Sequence, residues 1–251
     1  MLDLPFNATA FLILFARVGA VLMLLPAFSD DGIPAQLRLL IALGLTLGLF
    51  GFLGDRLLPA TTNDAALAGT IVAEMLVGLA LGMIVRIMFN AAAMAGAFVS
   101  MQVGLSSALI ADPALGGQAP ILAKFLAVAA TVACLATGVH HLWIAAIVRS
   151  YDIFPVGALP PAGDFARLAV SATTRATELA LGMAAPLMVY GIMFHVALGL
   201  AARMAPAIQV FFISQPLNIL LGLALFAMTL GVALTGFTAA MAAFMQSGWT
   251  L

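Results

Sequence analysis

Charge is what this chain has least of. With 9 Lys+Arg and 10 Asp+Glu in 251 residues, 8% of the sequence is charged, against about 25% in soluble globular domains. The formal net charge of -1 leaves no basic face to neutralise a nucleic-acid backbone, so nucleic acid is excluded as a partner. A single cysteine, Cys134, rules out a disulfide framework and a Cys-based metal or redox motif. Lying in an apolar run, it reads as a small buried hydrophobe. The sequence has no GxxxxGK[ST] loop, no GxGxxG turn and no GxSxG elbow, and Ser106, Ser107 and Asp112 share a loop without forming a recognisable triad. Neighbouring His140 and His141 have no Cys or acid at ligand spacing, so neither a metal nor a cofactor is expected. Enzymatic function is not indicated.

What the chain has in abundance is apolar length. Hydrophobic residues make up 65% of it and the mean hydropathy is +1.20. Backbone polar groups inside lipid must be satisfied locally, so such runs are expected as membrane helices. The reading is an all-α integral membrane protein, a single membrane domain over 1–251, with lipid as a partner. The N-terminal stretch lacks a basic n-region and its apolar run exceeds a signal segment, so it is expected to remain as a first span.

Polar interruptions divide the chain into about six segments: roughly 8–28, 37–53, 67–103, 121–148, a fifth running to about Ala202 and a sixth to about Phe244. The third is too long for one perpendicular crossing. Arg149 to Glu178 is the longest polar stretch, and Pro155, Pro160, Pro161 and Gly163 argue against continuous helix through it, with the fifth helix starting at about Arg175. Arg175 and Glu178 are spaced to pair. Pro206 and Pro216 are expected to break the chain before the sixth helix. Lys and Arg show no bias between alternate loops that would orient the protein.

Four ionisable residues lie inside apolar segments: Arg17, Glu74, Arg86 and His195. Each is costly in lipid and so is expected to face protein or water. Glu74 and Arg86 are about 18 Å apart along one helix, too far to pair with each other. They serve either an ion relay or structural pairing. Gly44xxxGly48 and Gly78xxxGly82 allow close helix approach, within the chain or with a partner. Met83, Met88, Met94 and Met101, with Met183, Met188 and Met193, keep no strict face and read mainly as core filling. Residues 104–120 are a different matter. This loop is apolar at its start yet carries Gly104, Pro113, Gly116 and Gly117, and it suits either a surface connection or a segment lining a protein cavity.

Here the sequence resembles a known family. MQVGLSSALIADP at 101–113, APILAKF at 119–125 and GVHHLW at 138–143 resemble the central region of the FliR family, flagellar biosynthetic proteins of the bacterial type III export gate. PAFSDDGIPAQLRLLIAL at 26–43, FPVG at 154–157 and the late motif of Arg203, Pro206, Phe211 and Pro216 are similar to further stretches of that family. The family commonly has Gln after the first Pro of the late motif, where this chain has Ala207, and Gly-aromatic before the second, where it has Ser214-Gln215.

The resemblance implies a non-enzymatic, inner-membrane subunit of the flagellar basal body with tilted helical hairpins. Implied partners are FliP-like, FliQ-like and FlhB-like membrane proteins and, transiently, unfolded export substrates. It also makes 104–120 look like a plug loop, with Gly104, Leu105, Leu109, Ile110, Asp112, Pro113, Gly116 and Gly117 its candidate residues. An injectisome subunit shares the pattern. A stand-alone solute transporter using Glu74, Arg86 and His195 is the reading from another class.

Overall fold

The computed structural model describes residues 4–29, 33–58, 64–105, 120–159, 161–204 and 210–247. Regular structure among them is helical: α1 (Leu4–Leu24), α2 (Ala35–Leu57), α3 (Asp64–Val103), α4 (Ile121–Ala136), α5 (Val139–Ile153), α6 (Ala162–Met204) and α7 (Val210–Ser247). The all-α expectation holds. Among the described residues α2, α3, α6 and α7 are long and apolar enough to cross a bilayer, and α4 with α5 forms a bent pair that passes the same test together.

Proline starts helices here more than it stops them. Pro34 and Pro120 sit in extended conformation just before α2 and α4, with ψ 141° and 139°. Their carbonyls accept the first helical N–H groups, from Leu37 and Arg38 and from Ala123 and Lys124, and the Pro161 carbonyl does the same for Asp164 and Phe165 of α6. At such a position proline loses no hydrogen bond, because an N–H there would be unpaired anyway.

Four sequence expectations are corrected. The stretch from Arg149 to Glu178 has the expected break, but a short one: it leaves the helix only at Phe154 and re-enters it at Ala162, well before Arg175. Beneath its polar appearance runs a buried stripe of Ala172, Ala176 and Ala180, spaced for one helix face, while Asp164 and Arg167 remain on the outside. The fourth segment is two helices, because Gly138 takes a φ of 78° that ends α4. Pro216 does not precede the last helix but lies inside it, since α7 begins at Val210. Arg175, spaced for Glu178, instead stands 5.7 Å from the Phe244 ring centroid.

The chain forms two compact units. The first is Met1–Met88, His140–Thr173 and Met245–Leu251; the second is Phe89–Val139 and Thr174–Phe244. In the first, α1 packs against α2, with Phe11 edge-on to Phe50, and against α3 through Gly78 and Gly82. A Cβ on Gly78 would lie 2.5 Å from the Arg17 carbonyl oxygen, and one on Gly82 would lie 2.8 Å from Leu24 Cβ. This is the close approach that the spacing allows. Gly44 and Gly48 of α2 have nothing within 4 Å of a built Cβ. In the second unit, Gly96 of α3 brings the backbone of α4 close at Leu122 and Ala123. Phe89 meets Phe237 of α7, and Phe125 of α4 meets Phe226. Cys134 is buried, as its surroundings suggest.

Candidate functional site

Two polar clusters stand out in this apolar chain, one in each unit, and each uses one of the only two tyrosines. In the first unit Arg17 of α1 and Glu74 of α3 are both fully buried and form a forked pair. Arg17 Nε donates to Glu74 Oε2 at 2.7 Å and Nη2 to Oε1 at 2.9 Å. Both groups make further bonds. Arg17 Nη1 donates to Ser150 Oγ at 3.1 Å and Nη2 to the Phe154 carbonyl at 3.1 Å. Glu74 accepts from Tyr151 Oη at 3.2 Å and from the Gly157 N–H at 3.0 Å. The guanidinium carbon also lies 3.7 Å from the Tyr151 ring centroid.

The FPVG stretch is thus a socket. Phe154 offers its carbonyl to the cation, and Gly157, with a φ of 75°, turns its N–H toward the anion. A buried charge pair is tolerable only when its hydrogen-bonding groups are satisfied, and here the carboxylate receives four donors. Such a carboxylate has no oxygen left for a passing ion or solute. Neither Arg86 nor His195 is among its partners.

In the second unit the cluster closes the C-terminus of α3, where the 104–120 loop begins. Helices end with unpaired carbonyls, and each of these is accounted for. The Leu105 N–H donates to the Ser100 carbonyl at 3.0 Å and the Gly104 N–H to the Met101 carbonyl at 3.3 Å, with Gly104 at φ 85°. This paired arrangement is the Schellman motif. Asn218 of α7 supplies the rest, its Nδ2 donating to the carbonyls of Gln102 at 3.3 Å and Val103 at 3.2 Å. Gln215, one turn earlier, donates to the Gly104 carbonyl at 3.2 Å. Tyr190 of α6 donates to Asn218 Oδ1 at 3.0 Å, which leaves the amide nitrogen facing the carbonyls.

Close packing holds the same point. A Cβ at Gly191 would collide with the Gln102 side chain, and one at Gly222 would lie 2.7 Å from Val103 Cγ2. Gly104, grouped by sequence with the flexible glycines of the loop, is a fixed helix stop at which any Cβ would strike Gln215.

The family model described as "Bacterial export proteins, family 1" matches residues 8–244. The chain belongs to that family. Among relatives of this export family, the flagellar biosynthetic protein FliR of Caulobacter vibrioides is 39% identical over 233 residues, covering 90% of this chain and 93% of the relative. The proteins of the same description from Bacillus subtilis and Escherichia coli K12 are each 32% identical. They cover 84% of this chain, and 82% and 80% of themselves respectively.

The other sequence candidates of this export-family chain are placed as follows. Leu109, Ile110, Asp112, Pro113, Gly116, Gly117 and Pro206 lie outside the described residues; Gly104 and Leu105 end the described part of the loop. Arg86 is exposed on α3, and His195, on α6, donates from Nδ1 to the Gly191 carbonyl at 2.6 Å. Arg203 is exposed in the last turn of α6; Phe211 and Pro216 lie in the first turns of α7. Met88 and Met183 are core residues, whereas Met83, Met101 and Met193 are exposed. His140 and His141 stack at 4.1 Å, and among the described residues no three metal-ligating side chains converge. The sequence singles out Arg17 and Glu74 as needing partners and Gln215 only as a departure from the family pattern, and it does not single out Ser150, Tyr151, Tyr190 or Asn218. Their one signal was rarity, a polar group at an isolated position of an apolar run.

Proposed function

We propose that this chain is a non-enzymatic subunit of the flagellar type III export gate, in the bacterial inner membrane. There it forms part of the conduit that passes unfolded flagellar subunits. The observation that carries this reading is the end-to-end likeness to flagellar relatives, which favours the flagellar over the injectisome system. FliP-like, FliQ-like and FlhB-like membrane proteins are its partners in this reading. The loop 104–120 acts as a plug: Leu105, Leu109 and Ile110 seal the path, Asp112-Pro113 fixes the turn, and Gly116 and Gly117 let it give way. The fixed end of α3 supports the role, since a plug needs a rigid base.

The solute-transporter reading finds little support, because its acid Glu74 is saturated by Arg17, Tyr151 and Gly157. The test is to co-express a tagged copy with FliP-like and FliQ-like proteins, extract in mild detergent and weigh what the tag retains. One large stable complex is expected. A lone monomer or homodimer, with both partners well expressed, would overturn the export-gate reading.

A further inference from the structure

Arg86 is exposed on α3, inside its 37-residue apolar span, and makes no hydrogen bond or ion pair with any described residue. A bare guanidinium cannot face hydrocarbon without a counter-charge or the headgroup layer. Three features of the first unit argue for the headgroup layer. Leu24, the last residue of α1, packs at Gly82, one turn before Arg86, so the chain turns out of α1 at the level of Arg86. At the opposite end of the unit the turn at Gly157 packs against Thr70, and an exposed ion pair joins Arg56 to Asp152 at 2.6 Å. From Leu67 to Arg86 the helix runs about 28 Å at 1.5 Å per residue, close to the thickness of a hydrocarbon core of about 30 Å.

On the same face of α3, one and two turns before Arg86, Met83 and Leu79 are 52% and 39% exposed. They line an open groove of about 550 Å³ whose other walls include Leu24, Leu76, Leu159 and Phe165, with no charged residue in its lining. Leu76 and Leu159 also line a second groove, of about 690 Å³, that extends toward Gly69 and Gly157. An apolar trough thus runs along α3 from Ala68 to Met83, and Arg86 stands one turn beyond its last lining residue on that helix.

We propose that this trough holds an acyl chain of an anionic phospholipid whose phosphate sits on Arg86. A guanidinium offers a phosphate two parallel N–H donors. The trough accounts for the exposed Leu79 and Met83, and the phosphate supplies the counter-charge that the chain itself does not. A partner helix bearing a carboxylate is the competing occupant, and the test separates the two.

The full chain, alone and in its co-expressed complex, would be equilibrated with equal amounts of phosphatidylglycerol and phosphatidylcholine. Retained lipid would then be identified by native mass spectrometry. Wild type is expected to retain phosphatidylglycerol by about fivefold over phosphatidylcholine, the effect of one surface cation. Arg86→Gln is expected to abolish the preference and Arg86→Lys to keep most of it. Met83→Trp, which fills the trough, is expected to reduce retention of both lipids. Equal retention of both lipids by wild type, or a preference unchanged in Arg86→Gln, would overturn the proposal. So would retention by the isolated chain that disappears in the complex, because a protein partner would then cover the site.

Discussion

Arg17 and Glu74, 57 positions apart and both without solvent exposure, bind each other through two hydrogen bonds of 2.7 and 2.9 Å. This pair joins α1 to α3 where Gly78 lets their backbones approach, so charge and close packing reinforce one another at a single crossing.

Removing one partner strands the other charge. Glu74→Gln is expected to cost about 3–5 kcal/mol, the usual penalty for an uncompensated buried charge, and Arg17→Met a similar amount. The double change Arg17→Met with Glu74→Leu is expected to cost less than either alone. Unfolding midpoints of the purified chain in a detergent titration check this, and additive losses would show that the pair does not act as a unit.

At the end of α3, Asn218→Ala leaves the buried Val103 carbonyl and the part-buried Gln102 carbonyl without their donor. The expected loss is about 1–3 kcal/mol, and Tyr190→Phe, which only frees the orienting bond, is expected to cost about 0.5–1.5 kcal/mol. Hydrogen exchange provides the local readout. The amides of Gly104 and Leu105 should exchange faster in Asn218→Ala while those in the middle of α3 stay protected. Uniform loss along α3 would mean that Asn218 supports the whole helix rather than its last turn.

The two GxxxG motifs make a matched pair. Gly78→Ala places a methyl 2.5 Å from the Arg17 carbonyl oxygen, which forces α1 and α3 apart, and is expected to destabilise the chain by about 1–3 kcal/mol. Gly44→Ala enters open space and is expected to be neutral or to stabilise α2 by up to about 1 kcal/mol. Thermal unfolding of the two purified variants decides it; equal losses would contradict the difference in packing.

Helix existence was legible because apolar runs of membrane length leave the backbone no other option. Boundaries were not. The start of α6 looked like a loop because alanine, neutral in any composition count, forms its buried stripe of Ala172, Ala176 and Ala180. The break at Gly138 needed knowledge of a positive φ that an isolated glycine in an apolar run does not announce. For the polar clusters, the cost of burying charge identified Arg17 and Glu74 one at a time, but nothing local could join residues so far apart. Asn218 gave still less warning, because a neutral amide in an apolar helix carries a smaller penalty than a charge.

The end of α3 also has a history in time. The groups that complete it, from Gln215 and Asn218, lie 111 to 116 positions further along the chain. At about 5–20 residues per second of synthesis, the carbonyls of Gln102, Val103 and Gly104 wait roughly 5–20 s for their donors. Until α7 emerges from the ribosome, the point from which the central loop departs is unfinished, and a chain truncated before Gln215 would never secure it.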